Sequence, residues 1–205
     1  MMDVIAPGRR ALADALDQLT PSQWQGTTMC AGWTPGHVLA HLTMPFRISE
    51  QAFMAGLQEC GGDFTKFSDE IADRDSKLPQ GELVAVLRDN ADTPWSPPGG
   101  GLAGALSHDV IHGLDITWPL SVDYPLADRA LTAVLDSITS PGTETYFGVP
   151  LHDIQLTATD VAWTRGTGAP LAGRSRDLIM LLANRRVPHA LFEGAGIDLV
   201  TADAP

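Results

Sequence analysis

The sequence predicts a mainly α protein: a four-helix bundle carrying a small C-terminal α+β appendage. Three observations predict it. Apolar residues recur at helical spacing in four or more segments of the first two thirds of the chain, which is the pattern of packed helices. Near Pro141 to Pro150 this gives way to strand-like alternation with a glycine-rich turn. The 205 residues contain no internal repeat and no apolar run long enough to span a bilayer. The boundary falls between 145 and 146, with 1–145 as the bundle and 146–205 packed upon it, since a piece that small rarely sustains its own core.

The elements follow in order. Ala11, Leu12, Ala15, Leu16 and Leu19 mark a first helix, closed by "TPS" at 20–22. Thr34 as N-cap and Pro35 at the first helical position start a second. Its apolar stripe continues through Val38, Leu39, Leu42, Phe46, Phe53 and Leu57, and Pro45 is expected to kink or split it. Gly61 to Gln80 reads as polar and irregular, and "ELVAVLRDNA" as a helix of about three turns. "SPPGGG" at 96–101 is a loop, and no P-loop Lys follows its glycines. Helices are expected over Leu102 to Trp118 and Asp128 to Ile138. In the last third, "IQLTATDVAWTRGTGAPLAG" predicts a strand and hairpin, "DLIMLLANRR" a helix stopped by Pro188, and "GIDLV" a final strand.

A formal net charge of −12 with only two lysines, Lys66 and Lys77, argues against nucleic acid and against an anionic membrane surface as partners. The N-terminal stretch lacks the basic start, apolar middle and cleavage site of a secretory signal, so a cytoplasmic protein is expected. Cys30 and Cys60 form no metal or redox motif and are expected to be reduced.

The stretch "SHDVIHGLD" carries the chemistry. His108 and His112 stand four apart, so on a helix their imidazoles share a face and can converge on one point. Two nitrogens are half a metal site, and a catalytic one commonly takes three ligands and an open position. The second helix offers His37 and His41 in "GWTPGHVLAHLT". His41 lies within the apolar stripe and His37 in the first turn, where exposure is usual, so His41 is selected. Spacing leaves two readings open, a metal site and ordinary hydrogen-bonded histidines. His152 and His189 read as surface residues, and Cys30 as a small buried apolar side chain.

"CAGWTPGHVLAHL", followed about sixty-five residues later by "HDVIHGLD" and then by "GRSRDLIMLLANRR", resembles the mycothiol-dependent maleylpyruvate isomerase-like family, a branch of the DinB-like metal-binding helix bundles. The resemblance spans nearly the whole chain. It implies a divalent metal, zinc first and nickel, iron or manganese as alternatives, on His41, His108 and His112. It departs at His108, where the characterised isomerases have Glu, so the metal site is implied more directly than the isomerisation. Asp115 and Arg185 fall on positions to which the family gives a catalytic or thiol-positioning role. Their plainer readings are a histidine-orienting carboxylate and an arginine pairing where bundle and appendage meet.

The function so implied is that of a metal-dependent, thiol-using enzyme. It would be a mycothiol-dependent S-transferase or isomerase with an electrophilic small-molecule substrate. Three neutral imidazoles leave the metal its charge, so a thiol bound there loses its proton more readily. Arg185, with Arg176, is a candidate to hold a substrate carboxylate. The alternative is a non-catalytic metal-binding or regulatory bundle, and a homodimer stays open.

Overall fold

A computed structural model describes residues 1–142 and 146–201 of the chain. Helix α1 runs Met2–Asp17, α2 is the single turn Pro21–Trp24, and α3 is Pro35–Arg47. Then come α4 (Glu50–Glu59), α5 (Phe64–Asp75), α6 (Gln80–Asp89), α7 (Gly101–Thr117) and α8 (Asp128–Ile138). Strands β1 (Ile154–Ala158), β2 (Thr164–Gly166) and β3 (Ala169–Gly173) follow, then α9 (Ser175–Leu182), a 3-10 turn (His189–Leu191) and α10 (Gly196–Thr201).

Helices α1, α6, α3 and α7 close a ring in which each packs on two others, which is the expected bundle. Its core includes Ile5, Leu12, Leu16, Val38, Leu39, Leu83, Leu87, Leu106, Val110 and Leu114, all at most 2% exposed. The same buried cluster continues through α8 into Leu156, Leu171, Leu178 and Ile179 of the α+β piece. Helix α9 lies on α8 and α7, and Trp118 Nε1 donates to Asp177 Oδ1 across that contact at 2.8 Å. No described helix is long and apolar enough to cross a membrane.

Three expectations are corrected. The second helix is split in two as expected, but not at Pro45: α3 runs through that proline to Arg47, and the break falls at Ile48, whose extended backbone leads to the Ser49 cap of α4. Gly61 to Gln80 is not irregular. Asp63 caps α5 through its side chain, and Phe67, Ser68, Ile71, Ala72 and Asp75 form a buried face only one or two residues wide per turn. Polar residues at Ser68 and Asp75 hid that face from a reading based on hydropathy. "GIDLV" lies in helix α10, not a strand, because Gly194 and Gly196 pack against the backbone of Pro170 and the chain turns off the sheet there.

The sheet has the order β2-β1-β3, with β2 antiparallel and β3 parallel to β1. Passing from one side of β1 to the other takes the two residues between Gly166 and Ala169. Gly168, at φ 128°, comes so close to the Asp153 carbonyl that a Cβ there would sit 2.1 Å away. The expected boundary between 145 and 146 adjoins residues 143–145, which lie outside those described.

Candidate metal centre

Neighbouring helices α3 and α7 set three histidines face to face. Helix α3 starts where Thr34 and Pro35 place it, which puts His41 on the buried side at 7% exposure, between Ala40 and Leu42 of the core. On α7, His108 and His112 are one turn apart, with side chains 16% and 19% exposed. Gly113 lets α7 approach Tyr124: a Cβ there would stand 2.6 Å from the Tyr124 ring. Nitrogens of His41, His108 and His112 lie within 4.8 Å of one another, and the Nε2 atoms of His41 and His108 are 3.1 Å apart.

The other histidines do not join them. His37 Nδ1 accepts the Thr34 backbone N–H at 3.3 Å and its Nε2 faces Asp73 at 3.2 Å, so it closes the start of α3. His152 and His189 are exposed, as expected.

Each clustered imidazole is gripped at Nδ1. His112 Nδ1 is 2.9 Å from Asp115 Oδ2 and His108 Nδ1 is 3.1 Å from Asp109 Oδ1, while His41 Nδ1 is 2.9 Å from the Ser68 hydroxyl on α5. Both carboxylates are closed by arginines. Arg185 donates from Nε and Nη2 to Asp115 at 2.7 and 2.9 Å. Arg9, 1% exposed in α1, donates Nε to Asp109 at 2.7 Å and Nη1 to the carbonyls of Asn90, Ala91 and Thr93.

Burial, reinforced by the neighbouring imidazoles, holds His41 far below the usual imidazole range. His112 is lowered by burial too, against the opposing pull of Asp115. Burial alone would raise Asp115, but hydrogen bonds from Arg185 and His112 outweigh it and keep the carboxyl below its usual range. The centre therefore combines three imidazoles, two of them held uncharged by burial, with carboxylates paired to arginine, a donor set suited to zinc and other borderline divalent ions. Gripping Nδ1 leaves Nε2 as the free ligand atom, as in carboxylate-backed metal histidines.

Cys30 is placed differently from the sequence expectation of a plain apolar residue. Its Sγ lies 3.1 Å from Asp115 Oδ2 and 3.9 Å from His112 Nδ1, and burial followed by the Asp115 charge pushes the thiol up. Cys30, His112 and Asp115 also bring donor atoms within 4.8 Å, but the Arg185 guanidinium already occupies that side as a cation. Arg185 is thus engaged with Asp115, and Arg176 donates from Nη2 to the Tyr124 carbonyl. Two indoles stand beside the centre, Trp33 with its ring 5.4 Å from His41 and Trp95 with its ring 5.2 Å from His108.

Sequence reasoning missed Ser68, Asp109, Arg9 and both tryptophans. Asp109 had a signal, since it directly follows His108. Ser68 and Arg9 had none, because their partners are 27 and 100 residues away.

Residues 5–93 match the family model described as the mycothiol maleylpyruvate isomerase N-terminal domain, a span that includes His41 and Ser68 and ends before His108. No curated protein matches significantly. Among solved structures, two crystal structures of the mycothiol-dependent maleylpyruvate isomerase are similar, one of them carrying a histidine-to-alanine substitution. They superpose with TM-scores of 0.57 and, for the substituted form, 0.58, at 13% and 12% identity, covering 95% of this chain and 91% of the other. At that identity the likeness is one of fold, and it extends from α1 into the α+β piece beyond the matched segment. The chain thus has the fold of these isomerases, and its residues 5–93 are similar to the mycothiol maleylpyruvate isomerase N-terminal domain family.

Proposed function

We propose that the protein is a metal-dependent, thiol-using enzyme, a mycothiol-dependent S-transferase or isomerase acting on a small electrophile in the cytoplasm. The convergence of three imidazoles, each gripped at Nδ1, carries the reading. His41, His108 and His112 would hold a divalent metal, zinc foremost. When bound, that metal supplies Lewis-acid stabilisation of a thiolate at neutral pH.

The chain's own residues support this division of labour. Cys30 is the protein thiol nearest the centre, and its burial and its bond to Asp115 keep it protonated, so the nucleophile is left to a small thiol. Asp115 orients His112, and Arg185 holds Asp115 ionised while joining α7 to the segment after α9. Three neutral imidazoles add no charge, so the cation is not offset by its ligands. The partial exposure of His108 and His112 leaves an approach from solvent. The division at 145/146 is retained, supported by the confinement of the described strands to residues 154–173.

The experiment is conjugation of monochlorobimane by purified protein with mycothiol and with other low-molecular-weight thiols, before and after chelation. Metal-dependent conjugation with mycothiol is expected. Stoichiometric metal without conjugation by any thiol would overturn the enzymatic reading in favour of a binding or regulatory role.

A further inference from the structure

The three Nδ1 grips are not chemically alike. An ionised carboxylate only accepts hydrogen bonds. Asp115 and Asp109, each paired with arginine, therefore fix the ring protons of His112 and His108 on Nδ1 and leave both Nε2 atoms as bare lone pairs. His41 faces Ser68 instead, and a hydroxyl can either donate or accept.

The distance between the Nε2 atoms of His41 and His108, 3.1 Å, sharpens the point. Two bare nitrogens that close repel, so either a proton or a cation must lie between them. The His108 proton is committed to Asp109. Without a cation, His41 must supply the proton, donating from Nε2 to His108 while Ser68 donates to His41 Nδ1. With a cation, His41 Nε2 must be bare, its proton resides on Nδ1, and Ser68 accepts. No proton is gained or lost overall: one leaves Nε2, one arrives at Nδ1, and the hydroxyl turns over.

We propose that Ser68 is a positioning residue that lets His41 exchange ring tautomers, serving the centre both with and without its metal. A carboxylate at position 68 would force three lone pairs together, and a methyl group would support neither tautomer. Burial supports the assignment, since Ser68 is 5% exposed. The inference rests on the three-histidine metal reading, yet its first half concerns the protein without metal.

Long-range proton–nitrogen NMR of the imidazoles, on the full ¹⁵N-labelled chain at neutral pH, tests it directly. Without metal, the expected spectrum has His41 protonated at Nε2 and His108 and His112 at Nδ1. Zinc addition should move His41 alone to the Nδ1 form. Ser68→Ala should weaken zinc binding by about tenfold or more, and Ser68→Thr, which retains the hydroxyl, should restore it to within about threefold. A His41 protonated at Nδ1 without metal, or unchanged zinc affinity in Ser68→Ala, overturns the proposal. If the wild type binds no zinc, the metal reading fails, and the metal-free spectrum alone decides the tautomer assignment.

Discussion

The two sides of the centre are built from different materials. On the α7 side, His108 and His112 lean on buried carboxylates, each closed by an arginine from a distant element, Arg9 of α1 and Arg185 beyond α9. On the α3 side, His41 leans on the Ser68 hydroxyl. The α7 side is rigid because an unpaired charge there is costly, and the α3 side is adaptable because a hydroxyl has no fixed polarity. One side ties the site to the fold, and the other answers to what binds.

The largest expected effect breaks the rigid side. Arg185→Met strands Asp115, which is 0% exposed, and should lower stability in urea unfolding by about 3 kcal/mol or more. Arg9→Met should do likewise through Asp109 and also strand three carbonyl acceptors. Asp109→Asn keeps an acceptor but loses the charge, and zinc affinity measured by chelator competition should fall about 10- to 100-fold. Gly113→Ala inserts a methyl group against Tyr124, and the overpacking should exceed the helix-propensity gain, for a net loss of about 1 kcal/mol. The smallest effect separates the two histidines of α3: His37→Ala should cost about 0.5–1 kcal/mol of helix capping and leave metal affinity unchanged.

Acid sharpens the same contrast. His41 and His112 titrate below their unfolded range, so between the unfolded value near 6.5 and the lowered folded value, the unfolded chain binds more protons. Their contribution is complete above about pH 6.5 and is lost as pH falls. The urea midpoint of chelator-treated protein should drop from pH 7.5 to 5.5, and His41→Gln should flatten that slope.

Much of the bundle was legible because its signals are local. Thr34-Pro35 starts α3, the run from Asp128 to Ile138 is α8, and the four-residue spacing of His108 and His112 needs only one turn of helix. His41 could be chosen over His37 because a histidine inside an apolar stripe faces inward. Helix α5 was invisible because its buried face includes Ser68 and Asp75, whose partners lie on α3. Residues that act on the site through tertiary contact have no spacing to betray them, which is why Arg9 and Ser68 emerge only from the packed chain. "GIDLV" misled because its alternation suits a strand as well as one helical turn, and position beside the sheet decided the outcome.

The central claim is that the three histidines form one metal centre, and zinc titration into chelator-stripped protein tests it most directly. Wild type should bind one zinc per chain, and His41→Ala, His108→Ala and His112→Ala should each abolish tight binding while remaining folded by circular dichroism. Absence of stoichiometric zinc in the wild type, or an affinity unchanged by all three substitutions, would contradict it.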